Sequence, residues 1–281
     1  MHPTIISIGP FAIRSYGLML ATGFLTGIIL AAARAKKVGE NVDHIYNISV
    51  WIVFSALIGA RLYYVMTNYN EFRVRGEMFF LKRFALEFKN MFWPVGPSGQ
   101  IGISGLILYG GLIAATFTAV IYLYRYKLSV AKFLDIIAPS LGIGEFFTRI
   151  GCFLNGCCFG KPTESPLGLI FPDNSVAGMY YPDIHIHPSQ LYNSFAGLGI
   201  FLVLLYVERF KRFDGFLALV YFMMYAVIRF STDFTRHYDS NLRFHDFTHN
   251  QVLGIIVFTI SASVMIYRLK NLPAKDNMLQ K

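Results

Sequence analysis

Apolar residues in this chain come in blocks of about twenty, the length that crosses the hydrocarbon core of a bilayer as a helix. Seven spans follow from the pattern, over about 15–34, 45–66, 103–124, 131–155, 189–208, 215–233 and 250–268. The fourth and sixth are the least purely apolar. The connection after the second span contains a different pattern, in Met78–Trp93. There Lys82, Arg83, Glu87 and Asn90 fall on one helical face, and Phe80, Phe84, Phe88 and Met91 on another. This predicts an amphipathic arm at about 78–93, on the external surface, either lying in the membrane interface or packed as a lid. No fixed-period repeat or low-complexity linker divides the 281 residues. The expected fold is all-α: a polytopic membrane protein of about seven helices, forming a single integral membrane domain over 1–281.

Composition agrees with the pattern, at 55% apolar and only 15% charged residues. The net charge of +9 is spread among the loops. It therefore points to topology and anionic lipid rather than nucleic acid. Connections after spans one, three and five, with the C-terminal tail, hold thirteen lysines and arginines against nine on the opposite side. The expected orientation is N-terminus outside and C-terminus in the cytoplasm. No basic n-region, apolar h-region and cleavage site open the chain, so the first span, from Ser15, is expected to act as its own insertion signal.

Of 25 basic residues, Arg61, Arg149 and Arg229 fall inside spans. Each costs about 2.5–3.5 kcal/mol if it faces lipid, so such residues turn inward and mark a substrate path, or pair with buried acids to hold helices together. Only Glu145 and Asp233 are obvious intramembrane acids. Surplus guanidinium groups in a low-dielectric cavity suit an anion, and phosphate best, because the planar fork donates two parallel hydrogen bonds. Arg229, Asp233 and Arg236, at i, i+4 and i+7, share one helical face. The densest run of unusual residues is Gly142–Thr163, G-I-G-E-F-F-T-R-I-G-C-F-L-N-G-C-C-F-G-K-P-T, with Arg149, Asn155 and all three cysteines.

Six stretches in order resemble the prolipoprotein diacylglyceryl transferase family. They are Arg14–Leu20 (R-S-Y-G-L-M-L), Gly59–Val65 (G-A-R-L-Y-Y-V), Tyr109–Ile113 (Y-G-G-L-I), Arg149–Thr163, His187–Tyr192 (H-P-S-Q-L-Y) and the Arg229–Arg236 run. The resemblance implies a bacterial inner-membrane enzyme that moves diacylglyceryl from phosphatidylglycerol to the lipobox cysteine of a prelipoprotein. A thioether forms and glycerol phosphate leaves. It implies no cofactor and no metal, and partners that are membrane lipid and a prelipoprotein signal peptide. By the same resemblance Arg149 and Arg229 are expected to handle the phosphate, supported by Arg61, Arg236 and Asp233. Tyr16 and Asn155 are expected to contact the headgroup, and Gly160 to allow close backbone approach.

The chain departs from the family pattern in three places. Cys152-Phe-Leu-Asn155-Gly-Cys157 stands where the signature reads Asn-Phe-x-Asn-x-Glu, and Lys161 replaces an arginine. Tyr109 replaces a histidine proposed as a base. Tyrosine, with a free pKa near 10, accepts protons poorly at neutral pH, so Tyr109 is expected to hydrogen-bond the lipid. The cysteines read as small packing residues, as a disulfide or redox-sensitive pair, as a metal site with His185, His187 or His237 despite the absence of C-x-x-C, or as a covalent lipid carrier. His187-Pro188-Ser189 reads as a helix start. Two other functions compete: a related phospholipid-dependent transferase with another acceptor, and an arginine-lined anion transporter or channel.

Overall fold

A computed structural model describes residues 4–8, 11–72, 86–87, 107–238, 243–244 and 247–272. The predicted arm at 78–93 lies outside the described residues, apart from Leu86 and Glu87. Two short strands, β1 (Thr4–Ile8) and β2 (Phe11–Arg14), precede the helices. The long helices are α1 (Ser15–Lys37), α2 (Val42–Thr67), α4 (Leu108–Arg125), α5 (Val130–Asn155), α7 (Ser189–Val207), α8 (Phe216–Asp233) and α9 (His249–Lys270). Short turns of helix, α3 (Tyr69–Phe72) and α6 (Val176–Tyr180), lie between them. A two-stranded antiparallel pair, β3 (Arg243–Phe244) and β4 (Phe247–Thr248), leads into α9.

Six of these helices are long and apolar enough to cross a membrane. The exception is α5, which has the length but carries Lys132, Asp135, Glu145 and Arg149 along it. This is a polytopic all-α membrane protein.

The chain divides into two compact units. In the unit formed by Ser7–Ala12 and Asn41–Leu128, α2 packs along α4, and the Ile107 amide donates to the Ala60 carbonyl at 3.2 Å. In the other, built from Met1–Ile6, Ile13–Glu40 and Ser129–Lys281, α5 packs against α1, α7 and α8, and α8 against α9. Contact between α5 and α7 depends on reciprocal glycines. A β-carbon at Gly142 would sit 3.0 Å from the Gly197 carbonyl oxygen, and one at Gly197 2.9 Å from that of Gly142. Small residues at such crossings let two backbones meet where lipid provides no hydrophobic drive.

Charges anchor the end of α5 that holds Asp135. Arg34 is buried there, donating from Nη1 to Glu208 Oε2 at 2.8 Å and from Nε to the Ile136 carbonyl at 3.1 Å. Arg34, at the end of the first span, is one of the thirteen cations counted toward topology from the sequence; the fold buries it instead. Asp135 accepts from the Gly215 and Ala218 amides at 2.8 and 3.0 Å, so its carboxylate caps the start of α8. Arg149 lies about 21 Å further along α5, at 1.5 Å per residue.

Candidate functional site

Five elements of the larger unit meet at its polar end: the start of α1, the end of α5, the start of α7, the end of α8 and the start of α9. On α5, Arg149 donates from Nε to Glu145 Oε1 at 2.7 Å, one turn earlier. Both side chains are mostly buried, at 15% and 20% exposure. Tyr16 crosses this helix at Gly151, where an added β-carbon would meet the Tyr16 Cα at 3.3 Å. Its phenol stands in the field of Arg149 and all three cysteines.

At the end of α8 a second network is built around Asp233, which is 2% exposed. Tyr238 donates to Asp233 Oδ1 at 2.6 Å and accepts from Arg229 Nη2 at 2.9 Å and from Asn250 Nδ2 at 2.9 Å. Thr248 Oγ1 donates to Asp233 Oδ2. The same Thr248 caps α9, accepting from the Gln251 amide at 3.2 Å while its own amide donates to Gln251 Oε1 at 3.0 Å. One buried carboxylate thus fixes Arg229, the start of α9 and the loop between them. Burial, and then the bond to Asp233, push the Tyr238 phenol above its ordinary value, against the pull of Arg236 and Arg229. Arg229 Nη1 is buried with no hydrogen-bond partner among the described residues.

The segment after α5 folds back to deliver Arg236. Gly160 forms a β-bridge with Arg236, and its amide donates to the His187 carbonyl at 3.0 Å. A β-carbon at Gly160 would come within 2.6 Å of both His187 Cβ and Ser189 Oγ. The close approach that Gly160 makes in the fold is to protein. Phe159, Phe171, Ala177 and Ile186 form a small core under this segment. Gln190, on the first turn of α7, donates to the Cys157 carbonyl at 2.8 Å. His187 and Ser189 do serve the entry into this helix: the Ser189 amide donates to the His187 carbonyl at 2.8 Å.

Tyr225 lies in the field of Arg229, Arg149 and Arg236 together, with Glu145 the opposing charge. Three arginines, from two helices and a strand-like segment, thus lie within electrostatic reach of one phenol. Asn155 ends α5 and hydrogen-bonds Cys157. The three cysteine sulfurs lie within 4.8 Å of one another, and no cysteine is in a disulfide. Hydrogen bonds from the Cys152 and Cys157 thiols, followed by Arg236 and Arg149, hold the Cys158 thiol below the ordinary thiol value.

Of the sequence-predicted site residues, Arg149, Arg229, Arg236, Asp233, Tyr16, Asn155 and Gly160 all belong to this unit. Arg61 and Tyr109 belong to the other. There Arg61 lies over the rings of Tyr64 and Phe72, at 5.5 and 5.3 Å, and Tyr109 is 67% exposed. Sequence reasoning missed Tyr225, Tyr238, Thr248 and Gln190. Tyr225 had a signal, since it stands one turn before Arg229 on the face shared with Asp233.

Fold and site together define a multi-pass helical membrane protein with a partly buried group of three arginines at one end of its larger unit. The family described as prolipoprotein diacylglyceryl transferase matches residues 3–267, and the chain belongs to that family. Among its relatives is the phosphatidylglycerol–prolipoprotein diacylglyceryl transferase of Clostridium tetani, 30% identical over 236 residues, covering 84% of this chain and 86% of the relative. The proteins of the same name from Campylobacter hominis and Nitratidesulfovibrio vulgaris are each 30% identical. They cover 96% and 95% of this chain, and 91% and 93% of their own lengths.

Proposed function

We propose that this chain transfers the diacylglyceryl group of phosphatidylglycerol to the lipobox cysteine thiol of a prelipoprotein. A sulfur–carbon bond forms at the glyceryl carbon as the carbon–oxygen bond to phosphate breaks. The electron pair leaves on the phosphate oxygen as glycerol phosphate, and the thiol proton is released. One observation carries the reading: Arg149, Arg229 and Arg236, from three segments of one unit, all lie within electrostatic reach of Tyr225, with Glu145 and Asp233 as the acids on hand. A phosphodiester supplies what such a donor set lacks, since guanidinium forks match phosphate oxygens and stabilise charge as it develops on the leaving group.

Arg149 and Arg229 act on the phosphate, and Asp233 holds Arg229 in position. Arg236 adds charge, on the segment that Gly160 anchors. Tyr16 and Asn155 bond the headgroup. In the second unit Arg61 is a supporting cation, and Tyr109 hydrogen-bonds lipid without acting as a base. A groove of about 210 Å³ lies between α8 and α9, lined by Ala226, Phe230, Gly254, Ile255 and Phe258. It starts one turn from Arg229 and suits an acyl chain. Both units belong to one transferase domain in the bacterial inner membrane, with the N-terminus outside and the C-terminus in the cytoplasm. The family match along the chain and the charge distribution of the loops support this arrangement.

Complementation of a strain depleted of its own transferase tests the reading. Growth should return, and prolipoprotein should gain the diacylglyceryl thioether by mass. Correct membrane expression without either result overturns the assignment.

A further inference from the structure

Cys152 stands on the last turn of α5, and Cys157 and Cys158 follow in the turn that leaves it. Two backbone choices bring their sulfurs together. Gly156 ends the helix at φ +74°, and Cys158 itself takes φ +60°. Neighbouring residues of an extended chain send their side chains to opposite sides. A left-handed residue breaks that alternation, and one bearing a β-carbon adopts it only at an energetic cost. Here it turns two adjacent thiols toward a third, so that all three sulfurs fit within 4.8 Å.

Around a single ion with metal–sulfur bonds of about 2.3 Å, three sulfurs stand about 4 Å apart. A disulfide would use two of these thiols and leave the third idle, whereas one ion uses all three. Among the described residues the group consists of sulfur donors alone, the donor type that selects soft ions. Three thiolates around a univalent ion remain anionic, and Arg149 stands about one turn before Cys152 on α5. The surroundings therefore favour the charge that loading creates.

We propose that Cys152, Cys157 and Cys158 form a three-thiolate site for a soft univalent cation, of which Cu(I) is the best match, beside the arginine cluster. Loading displaces the protons that the thiols still carry and forms three metal–sulfur bonds, with no change of oxidation state when the ion is supplied as Cu(I). The proposal is independent of the transfer reaction, and its readouts do not use that activity.

The test uses the full-length protein in detergent, reduced and anaerobic, titrated with Cu(I) against a chromophoric chelator. One ion per chain should be retained, with three sulfur neighbours by X-ray absorption and all cysteines protected from alkylation. Cys152→Ser and Cys158→Ser should each weaken retention by more than about tenfold. These are the chain's only cysteines, so retention surviving in the triple serine variant overturns the proposal. Wild-type protein that retains no ion after reduction overturns it as well, without reliance on any variant. A disulfide joining two of the three in protein purified without reductant, with no Cu(I) bound after reduction, replaces the metal site by a redox pair.

Discussion

Glu145 accepts a hydrogen bond from Arg149 Nε at 2.7 Å, one helical turn along α5. The pair holds the guanidinium by its inner nitrogen, and no described residue hydrogen-bonds its two Nη groups. That is the fork a phosphate needs. Lysine preserves the charge but can neither be held at Nε nor present two parallel donors. Arg149→Lys should therefore lower kcat/KM for transfer to a lipobox peptide by about 100-fold or more. Glu145→Gln keeps an acceptor for Nε and should cost about tenfold. Initial rates on phosphatidylglycerol vesicles measure both. A lysine variant with the wild-type rate would remove Arg149 from the phosphate.

The Tyr238 hydroxyl connects Arg229, Asn250 and Asp233, so its loss acts on all three. Tyr238→Phe leaves the Asp233 carboxylate with Thr248 and a weak contact to Arg229 at 3.4 Å. The hydrogen bond lost involves a charged group, worth about 1.5–3 kcal/mol. Asp233→Ala should be worse, at about 3–5 kcal/mol, because it strands a buried guanidinium and uncaps the loop into α9. Thermal unfolding in detergent ranks the two. A phenylalanine variant as damaging as the alanine one would contradict a network centred on the carboxylate.

The helices were legible in the sequence because the apolar blocks and the bilayer share a length. The shared face of Arg229 and Asp233 was legible for a similar reason, since helical spacing is a local rule, but Arg236 was expected on the same face and instead lies beyond the end of α8, bridged to Gly160. Arg34 was not, because a basic residue at a span end reads as topology, and only the fold brings Glu208 and Ile136 to it. Tyr238 was hidden among many aromatics, with nothing local to mark its phenol as polar. The three cysteines were singled out, but the meeting of all three sulfurs was not legible, because ligand-spacing rules assume ordinary backbone and here Cys158 is left-handed. Gly160 was recognised as a close approach, but the approaching partners, His187 and Ser189, are distant enough in sequence to be unreadable.

Two glycines on α5 separate packing from composition. A β-carbon at Gly142 would lie 3.0 Å from the Gly197 carbonyl oxygen and the Phe201 amide nitrogen, whereas one at Gly144 meets nothing within 4 Å. Backbone atoms on α7 cannot swing aside as a side chain can. Gly142→Ala should therefore cost about 1–3 kcal/mol, and Gly144→Ala should be neutral or stabilising by up to about 1 kcal/mol. The midpoint of thermal unfolding and the monodisperse yield report the difference. Equal effects at the two positions would mean that α5 and α7 do not meet as closely as described.

Lys211 gives the charged end of α5 a pH dependence whose direction can be derived. Burial works against its ammonium, but hydrogen bonds to Asp214 and Asp135 outweigh it, and its pKa rises above 10.5. The ion-pair distances are 2.8 and 3.0 Å. A raised amine pKa means that the folded state holds the proton more tightly than the unfolded one. The stabilisation is therefore complete below about pH 10.5 and is lost as pH climbs through the higher folded value. Lys211 is partly exposed, so the contribution is modest, about 1 kcal/mol. Lys211→Met should lower the unfolding midpoint at pH 8 by about 2–4 °C. Asp135 keeps its two amide donors from α8, so the fold itself should survive. Above pH 10.5 the wild-type midpoint should fall toward that of the variant, and the gap between the two should close. Melting curves collected from pH 8 to pH 11 measure that gap. A gap that widens with pH would reverse the sign and show that Lys211 is not held by these carboxylates.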